Sequence, residues 1–110
     1  MSELKATPGP WERDGLLVYA THHNGDFRLG RPLLVNRFSA RVDAYPNQGG
    51  TAEEAEANAN LIVAAPDLYA ACHHAETVMM IVMPRSHSAE YHETFLELKA
   101  ALAKARGESP

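Results

Sequence analysis

Glu56-Ala-Asn-Ala-Asn-Leu-Ile-Val-Ala-Ala-Pro-Asp-Leu68 is the stretch on which the fold turns. Alanine favours helix, asparagine opposes it and proline opposes it strongly. Yet the apolar positions Leu61, Ala65, Leu68, Cys72, Ala75, Met79 and Val82 recur at spacings of 4, 3, 4, 3, 4 and 3. That rhythm keeps one helical face inward. It stays in phase across Pro66, so the spacing predicts a kinked continuous helix or a tight joint there. Pro66 suits the first turn of a new helical segment, with Asp67 favourable just after it. Leu68 is expected to be buried.

Upstream, Thr51-Ala-Glu-Glu54 reads as a capping box that starts the helix. The acids at 53, 54 and 56 suit the positive end of the helix dipole. Pro46-Asn-Gln-Gly-Gly50 breaks any element before it. Three strands are expected earlier, at Gly15–Ala20, Leu33–Arg37 and Arg41–Tyr45. His22-His-Asn-Gly-Asp26 reads as a turn, because Asn24-Gly25 is a strong hairpin signal. Thr7-Pro-Gly-Pro-Trp11 cannot be helical and should deliver Trp11 onto the sheet.

Downstream, Pro84-Arg-Ser-His-Ser88 reads as a short turn. Tyr91, Phe95, Leu98, Leu102 and Ala105 then repeat at 4, 3, 4 and 3. Two helices with matching seams and a short connector predict an antiparallel αα-hairpin. The expected fold is α+β: a small antiparallel sheet of about three strands or more, followed by that hairpin. One domain is expected over residues 1–106, with the sheet at 11–45, helices at 51–83 and 89–106, and a disordered tail at 107–110.

The chain has 110 residues, a net charge of −4 and one cysteine, Cys72. An intramolecular disulfide is excluded, which suits a reducing cytoplasm. The polar start, Met1-Ser-Glu-Leu-Lys5, gives no expectation of a signal peptide, and no apolar run approaches a membrane span. Residues 1–50 hold six Lys or Arg against five Asp or Glu; residues 51–110 hold four against nine. Arg28, Arg31, Arg37 and Arg41 lie within fourteen acid-free residues. This is too little basic surface for extended nucleic acid, though enough for one small anion.

Chemistry-bearing motifs are sparse. The HExxH and Cys-x-x-Cys patterns, the Gly-x-Ser-x-Gly elbow and a phosphate-cradling glycine loop are all absent. Adjacent His73 and His74 point about 100° apart on a helix and cannot easily share a metal. A site assembled in space from His73 and His92 is a rival reading. Cys72 falls on the apolar seam, where cysteine acts as a small hydrophobe. No catalytic, metal or cofactor assignment follows, and the chain reads as a non-enzyme.

Asn58 and Asn60 have two readings. Their side chains could lock the helix to neighbouring backbone, or a carboxamide could read a ligand edge by donating and accepting together. Thr77–Met83 is apolar almost all round. Either it packs on another subunit or it fills a deep core position where sheet and hairpin join.

Thr7-Pro-Gly-Pro-Trp11 and Glu56-Ala-Asn-Ala-Asn-Leu-Ile-Val-Ala-Ala-Pro-Asp-Leu68, in this order and spacing, resemble a family of small phage and prophage proteins, mostly without assigned function. In plan the chain is also similar to the Thoeris anti-defence sponge proteins of phages. Those join a compact sheet to two C-terminal helices, form homo-oligomers and sequester cyclic nucleotide-type immune signals without cleaving them. The resemblance implies a phage-encoded, non-enzymatic protein of the host cytoplasm. On that reading Arg28, Arg37 or Arg41 meets phosphates, Trp11, Phe38 or Tyr45 stacks on a base, and Asn58 reads a base edge or ribose. The expected homo-oligomer forms through Val78, Met79, Met80 and Met83. The alternative is an accessory factor whose helical hairpin engages a host protein.

Overall fold

The structure is a computed structural model. It describes residues 4–28, 31–82 and 88–108, with the side chains of 22–28 and 31–33 outside the description. Three antiparallel strands come first: β1 (Glu12–Asp14), β2 (Leu17–Arg28) and β3 (Arg31–Arg41), in the order β1-β2-β3. Three helices follow: α1 (Ala52–Val63), α2 (Ala65–Val82) and α3 (Ala89–Ala105). The α+β class and the closing hairpin are as expected. The strand boundaries are not.

β1 and β2 form a tight hairpin through Gly15-Leu16, between the paired Asp14 and Leu17, and Gly15 has φ of +59°. That left-handed backbone is open to glycine at no steric cost and turns the chain where a strand start was expected. Asn24-Gly25 does not turn the chain. β2 runs through it, and a register irregularity between His23 and Phe27 absorbs the extra residues. The ladder runs on to the pair Arg28 and Arg31. A long ladder outweighs one local turn signal, because every further pair adds backbone hydrogen bonds. The expected second and third strands are one, β3. Ala20 pairs with Phe38 and Thr21 with Asn36, so Arg37 is the extra residue of a β-bulge. Residues 42–45 leave the sheet for a 3₁₀ turn at Pro46–Gln48.

The chain divides into two compact units, Thr7–Pro66 and the remainder. In the first, alternation sends Val18 and Ala20 to the face that α1 covers. Val18, Val42, Ala55 and Ala59 are buried together, with Trp11, Leu16, Phe38, Ala44, Ile62 and Val63 partly buried around them. Ala55 and Ala59, four apart, present almost no side chain, which lets α1 approach the sheet closely. Thr51 Oγ1 accepts the Glu54 amide at 3.0 Å, so the predicted helix start holds. α1 stops at Val63, the single residue Ala64 separates it from α2, and Pro66 sits in the first turn of α2.

In the second unit α2 and α3 are antiparallel. Tyr91 Oη near the start of α3 donates to the Met79 carbonyl at 3.2 Å. Arg106 Nη1 at its end donates to Tyr69 Oη at 3.0 Å. Phe95 and Leu102 are buried, as their spacing predicted. Ser88 Oγ caps the start by accepting the Tyr91 amide. At the other end Gly107 has φ of +78°, and the amides of Gly107 and Glu108 bond the Lys104 and Ala103 carbonyls. This paired closure is the Schellman motif. The hydrogen bond to Tyr69, and then Glu108, raise the Arg106 pKa above its ordinary value against a smaller opposing effect of burial.

The seam of the first long helix differs from expectation. Ala65, Cys72, Ala75 and Met79 of the expected seam are half-buried, but Leu61, Leu68 and Val82 are exposed, while Tyr69 turns partly inward and Glu76 is buried. An alanine-rich helix carries several overlapping apolar lines, and spacing alone cannot choose between them. The bulky Tyr69, with its Arg106 partner, sets the rotation. The turn expected at 84–88 lies outside the described residues except for Ser88.

Candidate functional site

β3 ends at Arg41, and the next residues carry the chain to the start of α1. Tyr45 is the pivot of this passage. Its carbonyl accepts two amides, from Gln48 at 2.9 Å and Gly50 at 3.0 Å. Pro46 opens the 3₁₀ turn and Gly49, with φ of +89°, closes it. Gly50 lies so close beneath that a Cβ there would stand 2.9 Å from the Tyr45 nitrogen. Backbone packing therefore fixes Tyr45, and the residue is left 65 % exposed.

Between this turn and the first two turns of α1 lies a cleft of about 250 Å³. Tyr45, Gln48, Asp43, Glu54 and Asn58 contribute its side-chain chemistry, over a base of Ala44, Gly49, Gly50, Thr51 and Ala55. Residues that carry one aromatic ring, two carboxamides and two carboxylates thus line one concavity. The ring offers a stacking face, each carboxamide can donate and accept, and the carboxylates accept from hydroxyl or amine hydrogens.

Two of the residues selected from sequence, Tyr45 and Asn58, come together in this cleft. Arg41 reaches its rim: its Nε lies 3.4 Å from Oδ1 of Asp43, with both side chains largely exposed. Arg37 is exposed on the β3 bulge and does not line the cleft. The backbone of Arg28 is at the opposite end of the hairpin, paired with Arg31. The ten-residue rise of β3 separates that end from Arg41 by about 30 Å, beyond the reach of one small ligand. The Arg28 side chain lies outside the described residues.

Trp11 and Phe38 serve the core. Their rings meet at 4.9 Å with a 59° tilt. Trp11 Nε1 donates to the Thr7 carbonyl at 3.0 Å, and both side chains pack on the buried cluster. An aromatic beside a proline turn reads the same in sequence whether it anchors or stacks.

Arg13 is a residue that the sequence reading passed over. β-alternation turns it to the side of Val18, toward α1. Its Nε donates to the Gly15 carbonyl at 2.7 Å, Nη1 donates to Asn60 Oδ1, and Nη2 donates to Glu56 Oε1 at 3.1 Å. Asn60 is thereby explained as a tie between helix and sheet. Among the described residues the Asn58 side chain has no such tie.

In the other unit, Val78 and Met80 are exposed and Met79 is half-buried; Met83 lies outside the described residues. His73 and His92 are exposed, and His73 stacks near the Tyr69 ring at 6.2 Å. Among the described residues no group of three or more His, Cys, Asp or Glu is placed to hold a metal ion. Among them, too, no helix is long and apolar enough to cross a membrane.

The model of the family described as Salmonella phage P22 protein Y8K6 matches residues 1–109. The chain belongs to this phage protein family. No curated protein and no solved structure matches it.

Proposed function

We propose that this member of the phage P22 Y8K6 family is a non-enzymatic binding protein that sequesters a small nucleotide-type signal of the host, as the Thoeris anti-defence sponges do. One observation carries the reading: Tyr45 and Asn58 line the same cleft. The exposed Tyr45 ring stacks on a base. The Asn58 and Gln48 carboxamides address the base edge. Asp43 and Glu54 accept from ribose hydroxyls, and Arg41 at the rim meets a phosphate. The volume limits the ligand. About 250 Å³ is below the 300–1,000 Å³ usual for drug-sized pockets, so the cleft holds one nucleoside part and leaves the rest outside. Two carboxylates also disfavour burying a phosphate there.

The test is calorimetry against cyclic dinucleotides, cyclic trinucleotides and cyclic ADP-ribose isomers, using the intact chain. Binding of at least one, lost in Tyr45→Ala and in Asn58→Ala, is expected, with the ligand recovered chemically unchanged. Absence of binding to every one by folded protein would overturn the reading, and so would a cleaved product.

A second reading rests on a different observation. Val78, Met80, Ile81 and Val82 are all exposed at the end of α2, which suits a host protein docking on the helical hairpin. Affinity capture from host lysate, compared between the unaltered chain and Ile81→Glu, distinguishes that role.

A further inference from the structure

β3 is the outermost strand of the sheet and pairs on one side only among the described residues. One backbone bond fixes which way its groups point. The Val42 amide donates to the Leu16 carbonyl at 2.8 Å. The register runs on from there as Leu17 with Arg41, Val18 with Ala40, Tyr19 with Ser39 and Ala20 with Phe38. Antiparallel pairs alternate between bonded and unbonded, so Ala40 and Phe38 bond β2. Ser39 and Arg41 turn their amides and carbonyls away from the ladder, and both residues are exposed. The charge of the strand is as distinctive as its edge. Of the ten Lys or Arg in the chain β3 holds Arg31, Arg37 and Arg41, and of the fourteen Asp or Glu it holds none. Arg37 is exposed on the bulge. Arg41 pairs with the largely exposed Asp43, a contact of little net strength.

We propose that the outer edge of β3 takes an extended, acidic segment of a partner protein as an added strand. Ser39 and Arg41 supply the backbone bonds, and the guanidinium groups of Arg37 and Arg41 meet carboxylates of the segment. Charge excludes the commonest rival at an open edge, the same strand of a second copy. Two β3 strands side by side set arginine against arginine with no acid between them. The bulge at Arg37 and Pro32, which has no amide, interrupt the edge further along. They confine regular pairing to Phe38–Arg41 and guard the edge against indiscriminate association. An extended segment with Asp or Glu at alternate positions meets the strand without repulsion, because alternate side chains of a strand share one face. The surface belongs to the unit of the sheet, so it is separate from the exposed end of α2.

Selection of random peptides, each about ten residues and so long enough for a strand, on the immobilised intact chain tests this. Enrichment of sequences rich in Asp and Glu, with Val, Ile or Thr between them and no proline, is expected. An enriched peptide is then titrated by fluorescence anisotropy. Ser39→Pro removes an outward amide and no ladder bond, so the sheet should stay intact while affinity falls by about tenfold or more. Ser39→Ala keeps the amide and should keep the affinity. Arg37→Glu should weaken the same peptide at low salt and less at high salt. Arg41 also stands at the rim of the cleft and is left unaltered. Methylating alternate backbone nitrogens of the peptide gives a readout that no folding defect can mimic. One alternate set should abolish binding and the other should leave it, because one edge of the added strand faces β3. Should Ser39→Pro lose sheet by circular dichroism, the methylated peptides decide alone. Absence of enrichment on folded protein overturns the proposal, as does a peptide that tolerates both methylated sets. A DNA oligonucleotide that binds, weakened by Arg37→Glu and indifferent to Ser39→Pro, marks a phosphate site and overturns it too.

Discussion

Asn58 and Asn60 give a matched experiment, because they sit two apart in one helix and differ in what they touch. Asn60 Oδ1 accepts from the Arg13 guanidinium, which also binds the Gly15 carbonyl at 2.7 Å and Glu56 at 3.1 Å. The Asn58 side chain makes no hydrogen bond among the described residues. Replacing either asparagine by alanine improves helix propensity by about 0.5 kcal/mol. That gain cancels when the two variants are compared. What remains is the bond from Arg13 to Asn60. A hydrogen bond to a charged group is worth about 1.5–3 kcal/mol, but this one is exposed, and solvent screening reduces it to about 1 kcal/mol. Asn60→Ala should therefore be about 1 kcal/mol less stable than Asn58→Ala. With a urea dependence of about 1–2 kcal/mol per molar for a unit this small, the midpoints should separate by about 0.5–1 M. Trp11 is the single tryptophan and packs against Phe38, so its fluorescence reports this unit directly. The same comparison in an Arg13→Ala background should show the two variants converging. Equal midpoints in the unaltered background would refute the assignment of Asn60 as a tie. A gap that survives Arg13→Ala would refute the partner.

Gly50→Ala should destabilise the Tyr45 turn by about 1–3 kcal/mol, because its Cβ would lie 2.9 Å from the Tyr45 nitrogen; urea unfolding and ligand titration should both register it. Leu102→Ala, at a side chain 2 % exposed, should cost about 2–5 kcal/mol, and Leu61→Ala, at 64 % exposed, less than about 1 kcal/mol; thermal melts by circular dichroism compare them. Tyr69→Phe removes the acceptor of Arg106 Nη1 and should lower the melting temperature of the hairpin. The folded pKa of Arg106 is raised, so its stabilisation is fully present below the unfolded value, which is itself strongly basic, and fades only as pH rises through the folded one. The Tyr69→Phe difference should therefore be the same at pH 6 and pH 9.

What could be read from the sequence was whatever depends on neighbours in the chain. Thr51 and Glu54 announce the start of α1 because capping is a contact three residues long. Phe95 and Leu102 were legible as core because α3 has one apolar line and charged residues elsewhere. α2 was misread at Leu68, since alanines on several sides make its apolar lines equivalent until Tyr69 meets Arg106. The sheet was misread where two glycine turns competed. Asp14-Gly15 and Asn24-Gly25 carry the same local signal, and only pairing with β3 decides between them. The cleft was half legible. Asn58 stood out as an amide in an alanine-rich helix, and Tyr45 as an aromatic at a breaker. That Trp11 and Phe38 face each other, and that Arg13 reaches Asn60, are contacts between distant residues that no local pattern encodes.

The two motifs that marked the chain as phage-like have a physical link of their own. A Cβ on Gly9 would lie 2.8 Å from Cβ and 3.2 Å from Cγ of Pro66, so the Thr7–Trp11 segment rests its glycine on the ring of the proline that opens α2. Only a residue without a side chain permits that approach. The ring also needs no amide partner in the first helical turn, where the amide would go unused in any case. Pro66 therefore does two jobs at no cost to the helix: it starts α2, and it seats the segment whose next anchor is Trp11. Gly9 and Pro66 thus belong to the scaffold, as do Trp11 and Asn60. Tyr45 and Asn58 stand apart from this set. Both are exposed, neither side chain is tied to the core, and both face one cleft. The scaffold uses neither, which leaves Tyr45 and Asn58 beside one cleft with no side-chain partner among the described residues.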